Sequence, residues 1–306
     1  MEQLTVDTAA APAEAARPRP IPETGAKALI LFNPRAGGVT GADRNKLVAL
    51  ATASGVSEYK FVTADRMSKR LFENARDFDV VIVLGGDGTA RAAAELARRD
   101  GPPLVLLPGG TLNILPHALY GERDWAEALE AALNRGVIKR LASGRANGAP
   151  FYVAALFGAP TILARAREAV REGRLLVAVR RFRIFIKRAF SRKIRARPDQ
   201  QTPRKAAAYG VLCPAFSGGV EGESLEWVRL DANHLLDLAR VSLRSLTQSW
   251  RDDPAVEIGQ CRSGDIVSPG LIPATLDGEP RTFLSRIRVE YDAQGPRVIA
   301  LQPEGR

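Results

Sequence analysis

The sequence predicts an α/β fold in which an N-terminal Rossmann-like parallel sheet is followed by a β-sandwich-like domain. Three observations carry this. Four short apolar runs alternate with helical stretches between Lys27 and Asn134, and glycine-rich turns follow three of those runs. Beyond Gly136 the strand-like pieces become shorter and are punctuated by turn signals such as Asn147-Gly148.

The elements follow in order. Residues 1–25 are rich in Ala and Pro with few large apolar side chains, so burial cannot offset their ordering entropy and a disordered tail is expected. The α/β domain spans 26–136. "KALILF" precedes a helix at 43–54, "EYKFV" one at 66–76, "DVVIVL" one at 89–99, and "PLVLLP" one at 112–134. The β-rich domain spans 137–290. It opens with "IKRLASGRA" and "PFYVAALFG" and continues with strands near 205–213, 225–230, 255–260, 272–277 and 283–291. Helical insertions are expected near 161–195 and 231–249, and a last strand near 296–301.

At 306 residues and 45% hydrophobic content the chain can fill two modest cores. No run of eighteen apolar residues exists, and the N-terminus lacks the basic start and apolar centre of a secretory signal, so a cytoplasmic location is expected. Cys213 and Cys261 cannot make a disulfide framework, and with only His117 and His234 there is little material for a zinc site or a His-dependent triad. Carboxylates, glycines and cations are left to carry any chemistry.

The net charge of +10 is concentrated. Residues 165–205 hold fifteen Lys and Arg against Glu168, Glu172 and Asp199, leaving the rest of the chain close to neutral. A basic patch on a near-neutral body suggests docking to an anionic surface. Within it, 174–193 read as a helix gathers Leu175, Val179, Phe182 and Ile186 on one face, with Arg180, Arg181 and Lys187 flanking them, so a peripheral contact with an anionic membrane is expected. A nucleic-acid partner is not: the arginines are not interleaved with a stacking platform or a helix-turn-helix.

In a parallel sheet, ligands bind beyond the carboxyl ends of the strands. Three loops fall there: "NPRAGG" at 33–38, "GGDGT" at 85–89 and "PGGTLN" at 108–113. Glycines at such ends let backbone N–H groups approach a phosphate. Asp87 either complements a helix dipole or, among phosphate-cradling glycines, binds Mg²⁺ or positions an attacking hydroxyl. There is no G-x-x-x-x-G-K-[ST] and no G-x-G-x-x-G, so the loops belong to another class of phosphoryl-transfer site.

These residues resemble the diacylglycerol kinase catalytic-domain family, which includes bacterial soluble lipid kinases and the related sphingosine and ceramide kinases. The match runs through Asn33, Pro34 and Gly37, then Gly85, Gly86, Asp87, Gly88 and Thr89, then Pro108, Gly109, Gly110, Thr111 and Asn113, and ends in "LDGEP" at 276–280. The resemblance implies a fold of the NAD kinase/diacylglycerol kinase type, with segment 291–306 returning to the first domain. It implies transfer of the γ-phosphoryl group of ATP, with Mg²⁺, to a lipid hydroxyl. The proton-accepting role falls to Asp277 or to Asp87. The favoured assignment takes Asp277 as base, Glu279 as its neighbour and Asp87 as the Mg²⁺ and nucleotide anchor. An NAD kinase shares "GGDGT", but its second motif is absent from "LPGGTLNILPHALYG"; an inactive lipid-binding homologue is the other alternative, and a homodimer is left open. The chain departs from the family pattern at Arg140, at Ile114 and at Glu221-Gly222, where no metal site is assigned.

Overall fold

The computed structural model describes residues 25–158, 194–217, 222–231 and 249–302. The expected tail apart from Gly25, the basic segment 174–193, Glu221 and most of both expected helical insertions lie outside the described residues.

The first part alternates β1 (Ala26–Phe32), α1 (Asp43–Ala53), β2 (Val56–Thr63), α2 (Lys69–Glu73), β3 (Val80–Gly85), α3 (Asp87–Leu96), β4 (Leu104–Pro108), α4 (Ile114–Tyr120), α5 (Trp125–Arg135) and β5 (Val137–Arg140). β3 and β4 are buried along their whole length, as strands covered on both faces must be, whereas β2 lies at the edge and is largely open. Ala90, Ala93 and Ala94 form the buried face of α3, and their small side chains let the helix lie close on the sheet.

Two expected helices are corrected. The stretch 66–76 is broken: Met67 and Ser68 are extended, and the Ser68 hydroxyl accepts the Leu71 N–H at 3.3 Å to start the short α2. The stretch 112–134 is two helices, because Gly121 takes a left-handed φ of +72° and Asp124 then caps α5 by accepting the N–H groups of Ala126 and Glu127 at 2.8 and 2.9 Å.

The second part is a sandwich of two antiparallel sheets. Its strands are β6 (Ser143–Ala146), β7 (Ala149–Phe151), β8 (Ala154–Gly158), β9 (Ile194–Pro198), β10 (Arg204–Ala206), β11 (Ala208–Leu212), β12 (Leu225–Leu230), β13 (Val256–Cys261), β14 (Ser263–Val267), β15 (Ile272–Leu276), β16 (Glu279–Phe283) and β17 (Arg286–Asp292). One sheet runs β10-β9-β14-β17-β6-β7 and the other β13-β12-β11-β8-β15-β16. Phe151, Phe157, Tyr209, Trp227, Ile266 and Ile287 fill the space between them.

β9, β14 and β16 fall outside the expected strands, and β9 begins inside the expected helical insertion 161–195. A final strand, β18 (Arg297–Ala300), leaves the sandwich and inserts between β4 and β5, so the first sheet reads β2-β1-β3-β4-β18-β5. Val137–Arg140, expected in the β-rich part, therefore sits in the first sheet, paired antiparallel with β18.

The two parts meet along a seam. Tyr152, Val153 and Ala215 of the sandwich pack into the core of the first part, and Asp292, which accepts from Arg145 within its own sheet at 2.7 Å, also accepts from Arg99 across the seam at 2.8 Å.

Candidate active site

β1, β3 and β4 lie side by side and end together, with Phe32 opposite Leu84 and Gly85 opposite Pro108. The three glycine loops therefore emerge at one rim, and the backbone stitches them together. Asn33 donates its N–H to Leu84 at 2.9 Å, Gly109 donates to Gly85 at 2.9 Å, and Gly38 donates to Gly109 at 3.0 Å. Side chains add to this. The Asn33 amide donates to the Thr89 hydroxyl at 2.7 Å, while its carbonyl oxygen accepts the Arg35 N–H at 3.0 Å.

Glycine is required where the loops touch. A Cβ on Gly110 would stand 2.6 Å from the Cα of Gly86, and one on Gly85 would stand 2.7 Å from the Cβ of Thr89. At Gly88, by contrast, a Cβ would meet nothing within 4 Å, so this position faces open space. Gly37 is also exposed, its Cβ position 3.6 Å from the Thr111 hydroxyl. Asn113 adopts a left-handed φ of +49°, and its side chain closes the third loop by accepting the Gly110 N–H at 2.7 Å and donating to the Gly110 carbonyl at 3.0 Å.

Asp87 opens α3 at this rim, half-buried. One carboxylate oxygen, Oδ1, accepts the Leu115 N–H from the first turn of α4 at 3.3 Å; the other takes no hydrogen bond from the described residues. Thr89 is buried and its hydroxyl is committed to Asn33, whereas Pro34 and Thr111 are exposed at the rim.

Asp277 is held differently. It and Gly278 form the two-residue turn between β15 and β16, with left-handed φ values of +49° and +84°. The side chain does more than form the turn. Oδ2 accepts the Tyr152 N–H at 2.8 Å, and Oδ1 accepts those of Val153 and Ala154 at 2.9 and 3.0 Å. Burial raises the carboxyl above its ordinary value, with these three donors and the nearby Arg91 guanidinium pulling in the opposite direction.

Arg91 lies one turn along α3 from Asp87, and its charge acts on Asp277 across the seam. It is anchored by Glu95 at 3.0 Å, and its buried Nε has no hydrogen-bond partner among the described residues. Glu279, opposite Leu276 on β16, is exposed and makes no hydrogen bond among the described residues.

Sequence reasoning missed Arg91 and the amides of 152–154. Its only signal was the run "PFYVAALFG", expected as one strand, which the structure interrupts at Tyr152 and Val153 to present those amides.

The residues suit Mg²⁺ held in the manner of phosphate-bound ions. Asp87 keeps one oxygen free, and the space over Gly88 lies beside it.

Comparison with known proteins bears on the family and the fold. The model of the diacylglycerol kinase catalytic domain matches residues 27–146, which include all three glycine loops. A solved diacylglycerol kinase structure from Bacillus anthracis str. Sterne matches with a TM-score of 0.62 at 16% identity, covering 90% of this chain and 97% of that one. Two further structures from the same organism match with TM-scores of 0.65 and 0.66 at 17% and 18% identity and with the same coverage. The likeness extends over the sandwich as well as the glycine loops, and at these identities it is a likeness of fold.

Proposed function

Residues 27–146 belong to the diacylglycerol kinase catalytic-domain family, and from this premise we propose that the protein is an ATP- and Mg²⁺-dependent kinase acting on a lipid hydroxyl, of the diacylglycerol or sphingoid kind. The observation that carries the reading is the different preparation of two carboxylates. Asp87 is at the phosphate-cradling rim with an oxygen to spare, and Asp277 is held in the seam with its acidity weakened.

Each part then has a task. The backbone of the glycine loops receives the nucleotide phosphates, with Gly88 leaving room for close approach. Mg²⁺, when bound, neutralises charge on the phosphates, and Asp87 holds it. The three amides fix the Asp277 carboxylate and occupy one site on Oδ2 and both on Oδ1, leaving one lone-pair direction on Oδ2 for an incoming hydroxyl. As the loose phosphoryl transition state forms, that oxygen accepts the hydroxyl proton, and a carboxyl of raised basicity does so better than an ordinary one. Arg91, with a buried N–H in want of an acceptor, balances the charge beside it.

The test is a labelled-ATP assay over a panel of lipids in micelles, with the products identified. Formation of a lipid phosphate, lost in Asp277→Asn, is the expected result. ATP binding without transfer to any lipid would reject the kinase reading in favour of a non-catalytic homologue. The basic segment 174–193 supports a further proposal of salt-sensitive binding to anionic vesicles, and equal sedimentation with neutral and anionic vesicles would reject it.

A further inference from the structure

We infer that a groove on the outer edge of the first sheet is a second anion site, suited to a phosphomonoester. The groove, of about 570 Å³, is lined by four cations, Arg44, Lys60, Arg66 and Arg70, and includes Phe61 and Leu71; no carboxylate lines it. The Arg44 guanidinium lies over the Phe61 ring, 4.4 Å from its centre, which restrains one of the four charges.

Several arginines elsewhere are ion-paired: Arg99 and Arg145 with Asp292, Arg229 with Glu257 and Asp231, and Arg286 with Asp265. The four cations of the groove make no ion pair among the described residues. The acids next to them in sequence are engaged elsewhere or shared. Asp43 accepts from the Thr40 N–H and hydroxyl at 2.6 and 2.9 Å, and Asp65 takes the Thr63 hydroxyl and lies between the charges of Arg66 and Arg35. Four like charges around one hollow repel one another, and a bound dianion relieves that repulsion. An aromatic ring and a leucine beside them suit a ligand whose phosphate is attached to an apolar body.

The groove is separate from the glycine loops, since none of its lining residues belongs to 33–38, 85–89 or 108–113. It is nonetheless a neighbour. Thr63 pairs with Phe32, the residue before Asn33, and Asp43, adjacent to Arg44, holds Thr40 two residues beyond Gly38. The ligand is a phosphomonoester, either free phosphate or the headgroup of a lipid phosphate. The inference does not depend on the kinase reading.

The experiment is calorimetric titration of the full chain with inorganic phosphate, and separately with a short-chain soluble phosphatidic acid, each with and without a saturating non-hydrolysable ATP analogue. The expected result is saturable binding of at least one anion that persists in the presence of nucleotide. Binding should weaken by about tenfold or more in Lys60→Gln/Arg70→Gln, while analogue affinity stays within about twofold. Binding of phosphate supports a free anion; binding of phosphatidic acid alone supports a lipid headgroup. Arg44→Gln serves as a second variant, and a melting curve confirms that each is folded. The inference is overturned if neither anion saturates or if the variants bind as the parent does. It is also overturned if the variants lose the nucleotide together with the anion, which would make the groove an annex of the glycine-loop site. Because nucleotide affinity is read separately, a protein that binds no ATP still reports on the groove.

Discussion

Asn33 donates its side-chain amide to the Thr89 hydroxyl at 2.7 Å, and through this bond the first glycine loop is tied to the second. The threonine of "GGDGT" is thus a staple between the two loops. Thr89→Val keeps the shape and removes the acceptor. We expect a loss of about 1 kcal/mol in stability and a several-fold rise in KM for ATP, with Thr89→Ser restoring both. Steady-state kinetics and a melting curve on the three proteins check this.

Gly110 and Gly88 should separate packing from ligand approach. Gly110→Ala forces a Cβ to within 2.6 Å of the Gly86 backbone, so the loop pair must shift. A cost of about 1–3 kcal/mol and loss of ATP affinity should appear together. Gly88→Ala meets nothing within 4 Å, so its melting temperature should match the parent's while ATP affinity falls. Calorimetry showing unchanged ATP affinity in Gly88→Ala would remove this residue from the phosphate cradle.

The two carboxylates should fail in different ways. Asp277→Asn replaces an acceptor of three N–H bonds by a group with a single acceptor oxygen, so it should abolish turnover, leave Mg·ATP affinity nearly intact and cost about 1–3 kcal/mol in stability. Asp87→Asn should weaken turnover and Mg·ATP affinity together. If Asp277→Asn keeps most of its turnover on the true lipid, the proton-accepting role passes to Asp87.

On the proposed mechanism protonation of Asp277 removes the base, and burial raises its carboxyl above the ordinary value of 3.8. The acid limb of kcat/KM should therefore lie above that value. Arg91 favours the charged form, so Arg91→Gln should move the limb further upward in pH. A limb that stays in place in Arg91→Gln would show that Asp277 does not control it.

Asp292 should make stability depend on pH in the usual carboxylate sense. Burial opposes its ionisation, but the Arg145 bond, the Gln294 N–H and the Arg99 charge prevail and hold its carboxyl below 3.8. Its contribution is present above the unfolded value and is lost as pH falls through the lower folded one. Asp292→Asn should thus be less stable than the parent at neutral pH, with the gap closing in acid, as measured by denaturant unfolding at several pH values.

The parallel strands were legible because both faces of β3 and β4 are covered, which makes them continuous apolar runs. β14 and β16 were not. "EPRTF" is largely open to solvent, and "SGDIV" buries a charge, Asp265, that is neutralised by Arg197, Arg286 and Arg288 from the two neighbouring strands rather than by any local partner. The break in the expected helix 112–134 was signalled by Gly121 and Asp124, yet the apolar periodicity on either side outweighed it. In the site, the glycine loops were legible because each is a local strand-to-helix turn. The environment of Asp277 was not, since its nearest donor in sequence, Ala154, is 123 residues away.

Arg297 donates to the Gly101 carbonyl across a separation of 196 residues, where β18 lies beside β4. During synthesis, β4 leaves the ribosome as an unpaired edge and stays so while the whole sandwich is translated. An open apolar edge is a template for intermolecular pairing, so the nascent chain is vulnerable to aggregation over that interval. Its folding should also be slowed by the loop that must close before the sheet is whole. The same inserted strand means that clipping the chain between Asp292 and Arg297 would cut its covalent tether to the sandwich, so a nick there would open the first sheet even though it falls outside every glycine loop.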